Sequence, residues 1–411
     1  MSETRSLDFS TLQKAVVGDA AAFRCVTDLQ PAGGQADKVF PPTYEGGEYA
    51  TEDRKIDGQC VKCVILDSVA SQANRVELAL LDAVRRGEIE LPIIDADFSE
   101  HFPDIQKISS LEAPHRIADA IFRDTLMPDG KTRFRDSPDG KSCLTDASLA
   151  NATSLFGICP TALVFGMWDS TGPKGGGGAK FPRAIVSEIV GIDVIVGCKT
   201  ESRIDPLQIQ KNSGLLYEAK DGGWTLDPAK AKLDKSGKPV KLGKEGRPSD
   251  ANHGNITPKW TKKGGGVTLA RALQTTTLSL PALRRLRFPV AGKKGPEQEK
   301  TNDAARTALA ALVLCGAVLA QARGLDLRSR CLLVATKAPH WECLGAPGAD
   351  PATFTLTAKE ATELLKQAVA AAVAAGLPWK KEGLALKPLA DVVALVKKSR
   401  ELAAASGSEG S

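Results

Sequence analysis

The chain has 411 residues, of which 42% are hydrophobic, and its 54 Lys and Arg against 49 Asp and Glu leave a formal net charge of only +5. Such a composition is typical of a globular protein and excludes the strong, uniform basicity of a histone-like protein. How the charge is distributed along the chain is therefore more informative than its total.

Runs of apolar and β-branched residues predict a series of strands. In chain order they are 23–29, 49–56, 59–66, 91–95, 162–168, 184–196 and 330–336. Asp57 and Gly58 separate the second and third runs and are the dipeptide most typical of a tight hairpin turn, so these two runs are expected to pair. Gly191 interrupts the sixth run.

Helices are predicted where apolar residues recur at helical spacing. They are 68–86, 114–126, 302–322, 357–375 and 386–404. Asp67 or Ser68 can cap the first helix, and Gln72 and Arg75 lie together on a face away from its apolar residues. The apolar stretch 308–320 is shorter than the roughly 20 residues of a membrane span. It predicts a buried core helix and no association with a membrane.

Residues 219–263 differ sharply in composition from the rest of the chain. They contain 11 Lys and Arg against 5 Asp and Glu, whereas the remainder contains 43 against 44. The segment is poor in large apolar residues and cannot form a core of its own. The sequence therefore predicts an α+β protein in four parts. These parts are 1–215 with a glycine-rich loop at 169–183, a basic flexible insertion at 216–266, the rest of the core at 267–340, and C-terminal helices and a tail at 341–411.

The cysteines and histidines form no complete metal or catalytic motif. Cys60 and Cys63 are a lone CxxC pair with no second pair at zinc spacing, and His101, His115, His253 and His340 lie apart along the chain. The other cysteines are single, and no secretory signal precedes Leu12. We therefore expect reduced thiols and a cytoplasmic protein.

Nucleotide hydrolysis and metal-assisted cleavage are also poorly supported. The glycine run 175–178 is followed by Lys180 and Phe181, where a phosphate-binding loop requires Ser or Thr after the lysine. Asp95 with Asp97, or Asp67 with Glu77, could hold a metal ion but lack a matching third ligand. We therefore predict a non-catalytic protein without a metal or cofactor.

Three basic clusters, each near an aromatic residue, indicate a nucleic-acid partner. The clusters are Lys174, Lys180 and Arg183 with Phe181; Lys259, Lys262 and Lys263 with Trp260; and Arg284, Arg285 and Arg287 with Phe288. Cations neutralise phosphates, and rings stack on unpaired bases. Lysine-rich loops also occur as plain solvated surface, so charge alone leaves both interpretations open.

Several blocks, in the same order, resemble the backbone subunit of type I-G (formerly I-U) CRISPR surveillance complexes, the Cas-seven family. They are the segments 29–34, 38–47, 66–75, 115–124, 165–170, 180–191 and 202–206, for example Lys38-Val-Phe-Pro-Pro-Thr-Tyr44 and Phe165-Gly-Met-Trp-Asp-Ser170. The resemblance covers most of the chain from Leu7 to about Thr336. It implies an RRM-like βαββαβ core of the RAMP superfamily with long insertions.

The resemblance further implies that copies of the chain polymerise along guide RNA (crRNA) and present it for pairing with target DNA. Lys38, Gln72, Asn74 and Arg75 would contact phosphates or sugars, and segment 169–183 or 216–266 would form a thumb or finger. Arg203 and Arg271 are weaker candidates because each could pair with a surface acid. Family partners are a fused Cas-five/Cas-six subunit, a large subunit and a helicase-nuclease.

Two other functions remain open at this level. The chain could be a RAMP-type endoribonuclease that cuts target RNA through acids such as Asp95, Asp97 or Asp169. It could also be a structural protein that binds only other proteins.

Overall fold

A computed structural model describes residues 5–172, 178–346 and 348–407. The chain divides into two units by its internal contacts. The first unit contains the residues up to 44, 49–195 and 267–390, and the second contains 45–48, 196–266 and the residues from 391 onward. The predicted insertion 216–266 lies inside the second unit.

The described residues form the following helices and strands, numbered along the chain. The helices are α1 Phe9–Val17, α2 Val69–Arg85, α3 Ala120–Arg123, α4 Pro138–Leu144, α5 Thr153–Ile158, α6 Thr161–Phe165, α7 Leu280–Arg284, α8 Gly295–Ala322, α9 Ala358–Ala374 and α10 Ala390–Gly407. The strands are β1 Arg5–Ser6, β2 Ala22–Pro31, β3 Thr43–Tyr44, β4 Glu48–Tyr49, β5 Thr51–Ile56, β6 Gln59–Asp67, β7 Ile94–Asp97, β8 Lys107–Ser109, β9 Thr125–Leu126, β10 Met167–Trp168, β11 Lys180–Phe181, β12 Ile185–Val196, β13 Lys199–Arg203, β14 Tyr217–Glu218, β15 Trp224–Thr225, β16 Ile256–Thr261, β17 Val267–Ser279, β18 Leu325–Asp326, β19 Leu332–Ala335, β20 Trp341–Leu344, β21 Ala352–Thr355 and β22 Leu384–Pro388.

Four strands and two helices of the first unit form a βαββαβ arrangement. Along the chain they follow as β2, α2, β12, β17, α8 and β19, and the four strands lie in the sheet in the order β19-β2-β17-β12. β2 runs antiparallel to both of its neighbours, β17 and β19. This connectivity and strand order define an RRM-like, ferredoxin-like domain. The predicted α+β class and RRM-like core are confirmed.

Additional strands extend this sheet on both sides. The predicted hairpin is formed by β5 and β6, which pair beyond β12 and turn at Asp57 and Gly58, both with positive φ. On the other side β20 pairs with the first half of β2, whereas β19 pairs with its last residues. β12 continues through Gly191, where a Cβ atom would lie 3.0 Å from Val64 Cγ1. Close packing therefore explains the glycine that interrupts this run.

Helix α8 is the central helix of the core and lies against α1, α2 and α9. Residues 308–315 of this helix are fully buried. Its length and composition would also suit a membrane span, but 89% of its apolar window is buried inside the first unit. Burying each leucine side chain contributes roughly 1.5–3 kcal/mol, so the helix stabilises the core as predicted.

The prediction of one helix over 114–126 is wrong. The structure has a 3-10 turn at Arg116–Ala118, a separate short helix α3 capped by Asp119, and strand β9. Arg116 has a φ of +54°, which interrupts any regular helix at that point.

Two further element predictions are partly wrong. Most of the run 162–168 forms helix α6, and only Met167 and Trp168 are extended. The last helix begins at Ala390, because Leu384–Pro388 forms strand β22 in a small sheet with β7, β8 and β9. The helices predicted at 68–86 and 357–375 and the strands at 23–29 and 330–336 agree with the structure within a few residues. Helix α8 ends as predicted but begins at Gly295, seven residues before the predicted start at 302.

The second unit is built from short ribbons. β13 pairs with β16, and β14 pairs with β15. All six residues of β16 are exposed, and the segment between β13 and β16 buries few large side chains.

Candidate nucleic-acid interface

A cluster of arginines is organised around Asp67, whose carboxylate is fully buried at the end of β6. Arg75 Nε donates to Asp67 Oδ2 over 2.8 Å, and Arg328 donates to Asp67 Oδ1 over 3.3 Å. The same two arginines also donate to backbone oxygens, Arg75 to Leu327 and Arg328 to Leu66. These reciprocal bonds hold the turn between β18 and β19 against the first turns of α2.

Arg330, two residues after Arg328, is exposed, and its guanidinium lies 4.5 Å from the centroid of the Phe40 ring. The loop with Phe40 also contains Lys38, which is half-buried, while Asn74 is exposed on α2. The Arg75 and Arg328 side chains keep 31% and 26% of their surface exposed. Two partly exposed cations therefore share one buried carboxylate, and the surplus positive charge can meet a phosphate.

Sequence reasoning missed Arg328 and Arg330. They lie far from Arg75 along the chain, and neither is near a glycine run or in a basic run of the kind used to select candidates. Hydrogen bonds to Asp67 Oδ1 and to the Leu66 oxygen bring Arg328 to the start of α2, whereas Arg330 lies over the Phe40 ring.

Gln72 does not lie on an exposed helix face, so its predicted direct contact with RNA is not supported. It is 3% exposed and donates to Asp67 Oδ2 over 2.6 Å. Its carbonyl oxygen accepts from Ser187 Oγ and from Gln274 Nε2. Every polar atom of the Gln72 amide except one N–H is thus used inside the protein, which indicates a structural role beneath Asp67 and Arg75.

A second candidate surface is the small hairpin of β10 and β11. Its register pairs Met167 with Phe181 and Trp168 with Lys180. Met167 and Phe181 are buried, whereas Trp168 is 55% exposed and Lys180 Nζ lies 5.3 Å from its ring centroid. The predicted stacking ring, Phe181, is therefore wrong, and the exposed ring of this hairpin is Trp168.

The residues around this hairpin have mixed roles. Arg183 is exposed but donates through Nε to the Phe165 oxygen over 3.2 Å. Lys174 lies outside the described residues. Asp169, at the start of the predicted loop, is buried and accepts both bonds of a bidentate contact from Arg135.

The backbone before this hairpin is fixed by a buried ion pair. Both carboxylate oxygens of Glu77 accept from Arg116 over 2.6 Å, and Arg116 also donates to the Gly166 oxygen over 2.9 Å. Burial raises the pKa of Glu77 to about 7, although the adjacent Arg116 charge opposes that rise. Helix α2 is in this way connected both to the Asp67 cluster and to the hairpin.

The third predicted cluster is largely structural. Arg284 donates to the oxygens of Ala15, Val16 and Ala20 and so holds the end of α1. Phe288 is fully buried, so its predicted stacking role is wrong. Arg285 is exposed and remains a candidate for phosphate contact.

The predicted RNA-binding cations of the second unit lie on the β13–β16 ribbon and in the loop after it. Trp260 is 63% exposed, Lys262 is exposed, and Lys263 pairs with Glu48 at 3.1 Å. Arg203 Nη2 lies 3.8 Å from Oδ1 of the buried Asp205. Arg203 therefore forms a long ion pair with an acid, as the sequence suggested.

The outer face of the main sheet carries three arginine–carboxylate ion pairs. Arg271 pairs with Asp28, Arg24 pairs with Glu342, and Arg54 pairs with Glu188. Arg271 is thus also paired with a surface acid. Between these pairs lies a groove of about 330 Å³ that includes Val186, Val190, Leu273 and Thr275. The charge of each of these three arginines is thus offset by an acid.

The acids that could have supported RNA cleavage have other partners. Asp97 accepts from Ser99 and lies near Lys107, and Asp67, Glu77 and Asp169 are each bound by arginines. In the part of the chain that the structure describes, no group of three or more His, Cys, Asp or Glu is placed to hold a metal ion.

The family model described as CRISPR-associated protein GSU0053 matches residues 23–196 of the chain. The matched region runs from β2 to the end of β12 and contains Lys38, the whole of α2 and the β10–β11 hairpin. No curated protein matches the chain. The match makes the chain similar to CRISPR-associated proteins, which supports the class indicated by the sequence, and it does not distinguish among subtypes.

Proposed function

We propose that the chain is a non-catalytic backbone subunit that binds guide RNA in a CRISPR surveillance complex of the type I-G class. Copies of the chain polymerise along the guide and present it for pairing with target DNA in antiviral defence. The proposal includes a cytoplasmic location and, as partners, a fused Cas-five/Cas-six subunit, a large subunit and a helicase-nuclease.

The observation that carries this proposal is the arginine cluster around Asp67. It joins Arg75 and Arg328, from two distant parts of the chain, on one buried carboxylate, and Arg330 follows two residues after Arg328. Part of the cluster lies in the region that matches the CRISPR-associated family. Arginines held by a buried carboxylate are preorganised, so less entropy is lost when they bind a phosphate. Contacts to phosphate carry no sequence information, which suits a protein that must accept any guide.

The proposal is tested by measuring RNA affinity at several salt concentrations with oligoribonucleotides of different sequence. Arg330→Ala should weaken binding of every sequence alike and lower the slope of log affinity against log salt by about one phosphate contact. The matched control is Arg24→Ala, which removes an arginine paired with Glu342 on the outer sheet face. It should leave both the affinity and the slope unchanged.

Two results would contradict the proposal. One is a failure of the wild-type protein to retain RNA even in dilute buffer. The other is a loss of affinity in Arg330→Ala that is confined to one sequence. Cutting of a labelled complementary RNA that is lost in Asp97→Ala would instead favour the endoribonuclease.

A further inference from the structure

The β10–β11 hairpin presents an aromatic ring and a cation together on its exposed side. Its inner pair, Met167 and Phe181, is buried, and its outer pair is Trp168 and Lys180. An indole ring kept 55% exposed gives up much of the free energy that its burial would contribute. A ring with an adjacent cation is the combination that binds single-stranded nucleic acid by stacking on a base while the cation meets a phosphate.

The backbone is fixed on both sides of Trp168 by arginines, the buried Arg116 and the partly buried Arg135. Before it, Arg116 donates to the Gly166 oxygen, and its guanidinium lies 5.5 Å from the Phe165 ring centroid. After it, Arg135 holds both carboxylate oxygens of Asp169, at 2.9 and 2.8 Å, and the Thr171 oxygen at 3.1 Å.

Gly166, the first of these attachment points, needs to be a glycine. Its φ is +89°, and a Cβ atom there would lie 3.2 Å from the Phe181 oxygen and 3.0 Å from Arg183 Cγ. The hairpin therefore leaves α6 in a conformation that other residues would strain.

These features are costly ways to stabilise a fold. A buried ion pair contributes little more than a well-packed apolar pair of the same volume, and Arg116 adopts a left-handed conformation that costs of the order of 1–3 kcal/mol. Two ion pairs, one buried and one partly buried, whose arginines both bond to the chain beside Trp168 are better explained by a need to fix its geometry. We propose that Trp168 is a stacking site for an unpaired nucleobase of the bound RNA, preformed by Arg116 and Arg135.

This inference rests on the proposed RNA-binding function. It adds that the group bound by the hairpin is an unpaired nucleobase. The direct test uses a single-stranded oligoribonucleotide and the intrinsic fluorescence of the full chain. Subtracting the signal of Trp168→Phe from that of the wild type isolates one of the five tryptophans. RNA should quench this difference signal. Trp168→Ala should lower affinity roughly 5- to 100-fold, and Trp168→Phe should lower it less because it keeps a ring.

The positioning role of Arg116 is tested by a double-mutant cycle. Arg116→Met should weaken RNA binding, and combining it with Trp168→Ala should add little further loss. The control is Arg306→Met, which removes another buried arginine that is paired with Glu299 and Asp303 away from the hairpin. Its effect on RNA affinity should be small and additive with that of Trp168→Ala.

The outcomes separate this inference from the proposed function. If the wild type does not bind RNA, the proposed function fails. If the wild type binds RNA but Trp168→Ala binds it equally well and the difference fluorescence is not quenched, only the stacking site is refuted. Unchanged RNA binding with loss of a co-purifying subunit would make Trp168 part of a protein interface and would equally overturn the inference. The Trp168 variants change an exposed side chain, so they are expected to fold even if Arg116→Met does not. They therefore keep the stacking site testable.

Discussion

Replacing Asp67 by Asn should be among the most damaging single changes of a polar residue in this chain. The side chain is fully buried and accepts hydrogen bonds from Gln72, Arg75 and Arg328. Asparagine has nearly the same volume, so no cavity is created and the packing is unchanged. What is lost is the negative charge, together with at least one acceptor position that faces an N–H group.

The size of the stability loss in Asp67→Asn depends on how exposed the two arginine partners are. Breaking a fully buried ion pair costs about 3–5 kcal/mol, because the remaining charge is left without compensation. Arg75 and Arg328 are 31% and 26% exposed, so each can partly regain water. We therefore expect the free energy of unfolding to fall by about 2–3 kcal/mol.

The assay is urea unfolding followed by far-ultraviolet circular dichroism. The control is Asp28→Asn, which breaks the pair with Arg271 on the exposed sheet face, where both side chains are more than 40% exposed. Exposed pairs contribute about 0–1 kcal/mol, so this variant should unfold almost as the wild type does. A change of less than 1 kcal/mol in Asp67→Asn would refute the view that this carboxylate organises the cluster.

Three other changes test the fold. Ser68→Ala removes the side chain that accepts from Ser71 N at the start of α2 and should lower the unfolding free energy by about 1 kcal/mol in the same urea assay. Leu312→Ala in α8 should lower it by about 2–5 kcal/mol, and a smaller loss would mean that the core collapses around the cavity. For Glu77 the folded pKa lies above the unfolded value, so the folded state holds more protons and wild-type stability should fall as pH rises from about 4.5 to about 7. Glu77→Gln should flatten the dependence of stability on pH between about 4.5 and about 7. An unchanged dependence would contradict the raised pKa of Glu77.

The sequence predicted those parts of the fold that local pattern determines. Asp57-Gly58 specified the β5–β6 hairpin, and the apolar spacing of 68–86 specified α2. Asp67 and Ser68 were both possible caps, and the structure uses Ser68. The helix at 114–126 was wrong because Arg116 leaves helical geometry to reach Glu77, a partner 39 residues away. No local pattern contains that information.

The candidate site was predicted less well, for a related reason. Proximity in sequence places a ring near a cation but does not say which side of a strand faces water. Phe181 and Lys180 are neighbours on β11 and therefore point to opposite faces, so the ring that meets Lys180 is Trp168 on the paired strand. Alternation along β11, applied with the β10 pairing, could have found it. Arg328 and Arg330 gave no such local signal.

The outer face of the main sheet has a consequence for recognition. RRM domains often read RNA by stacking bases on aromatic side chains of the sheet. The outward residues of β2 and β17 include Arg24, Val26, Leu273 and Thr275, with no ring among the outward positions of either strand, and Arg24 is neutralised by Glu342. These two strands therefore lack the rings on which an RRM sheet commonly stacks bases. Stacking on this chain would instead have to come from exposed rings outside these two strands, such as Trp168.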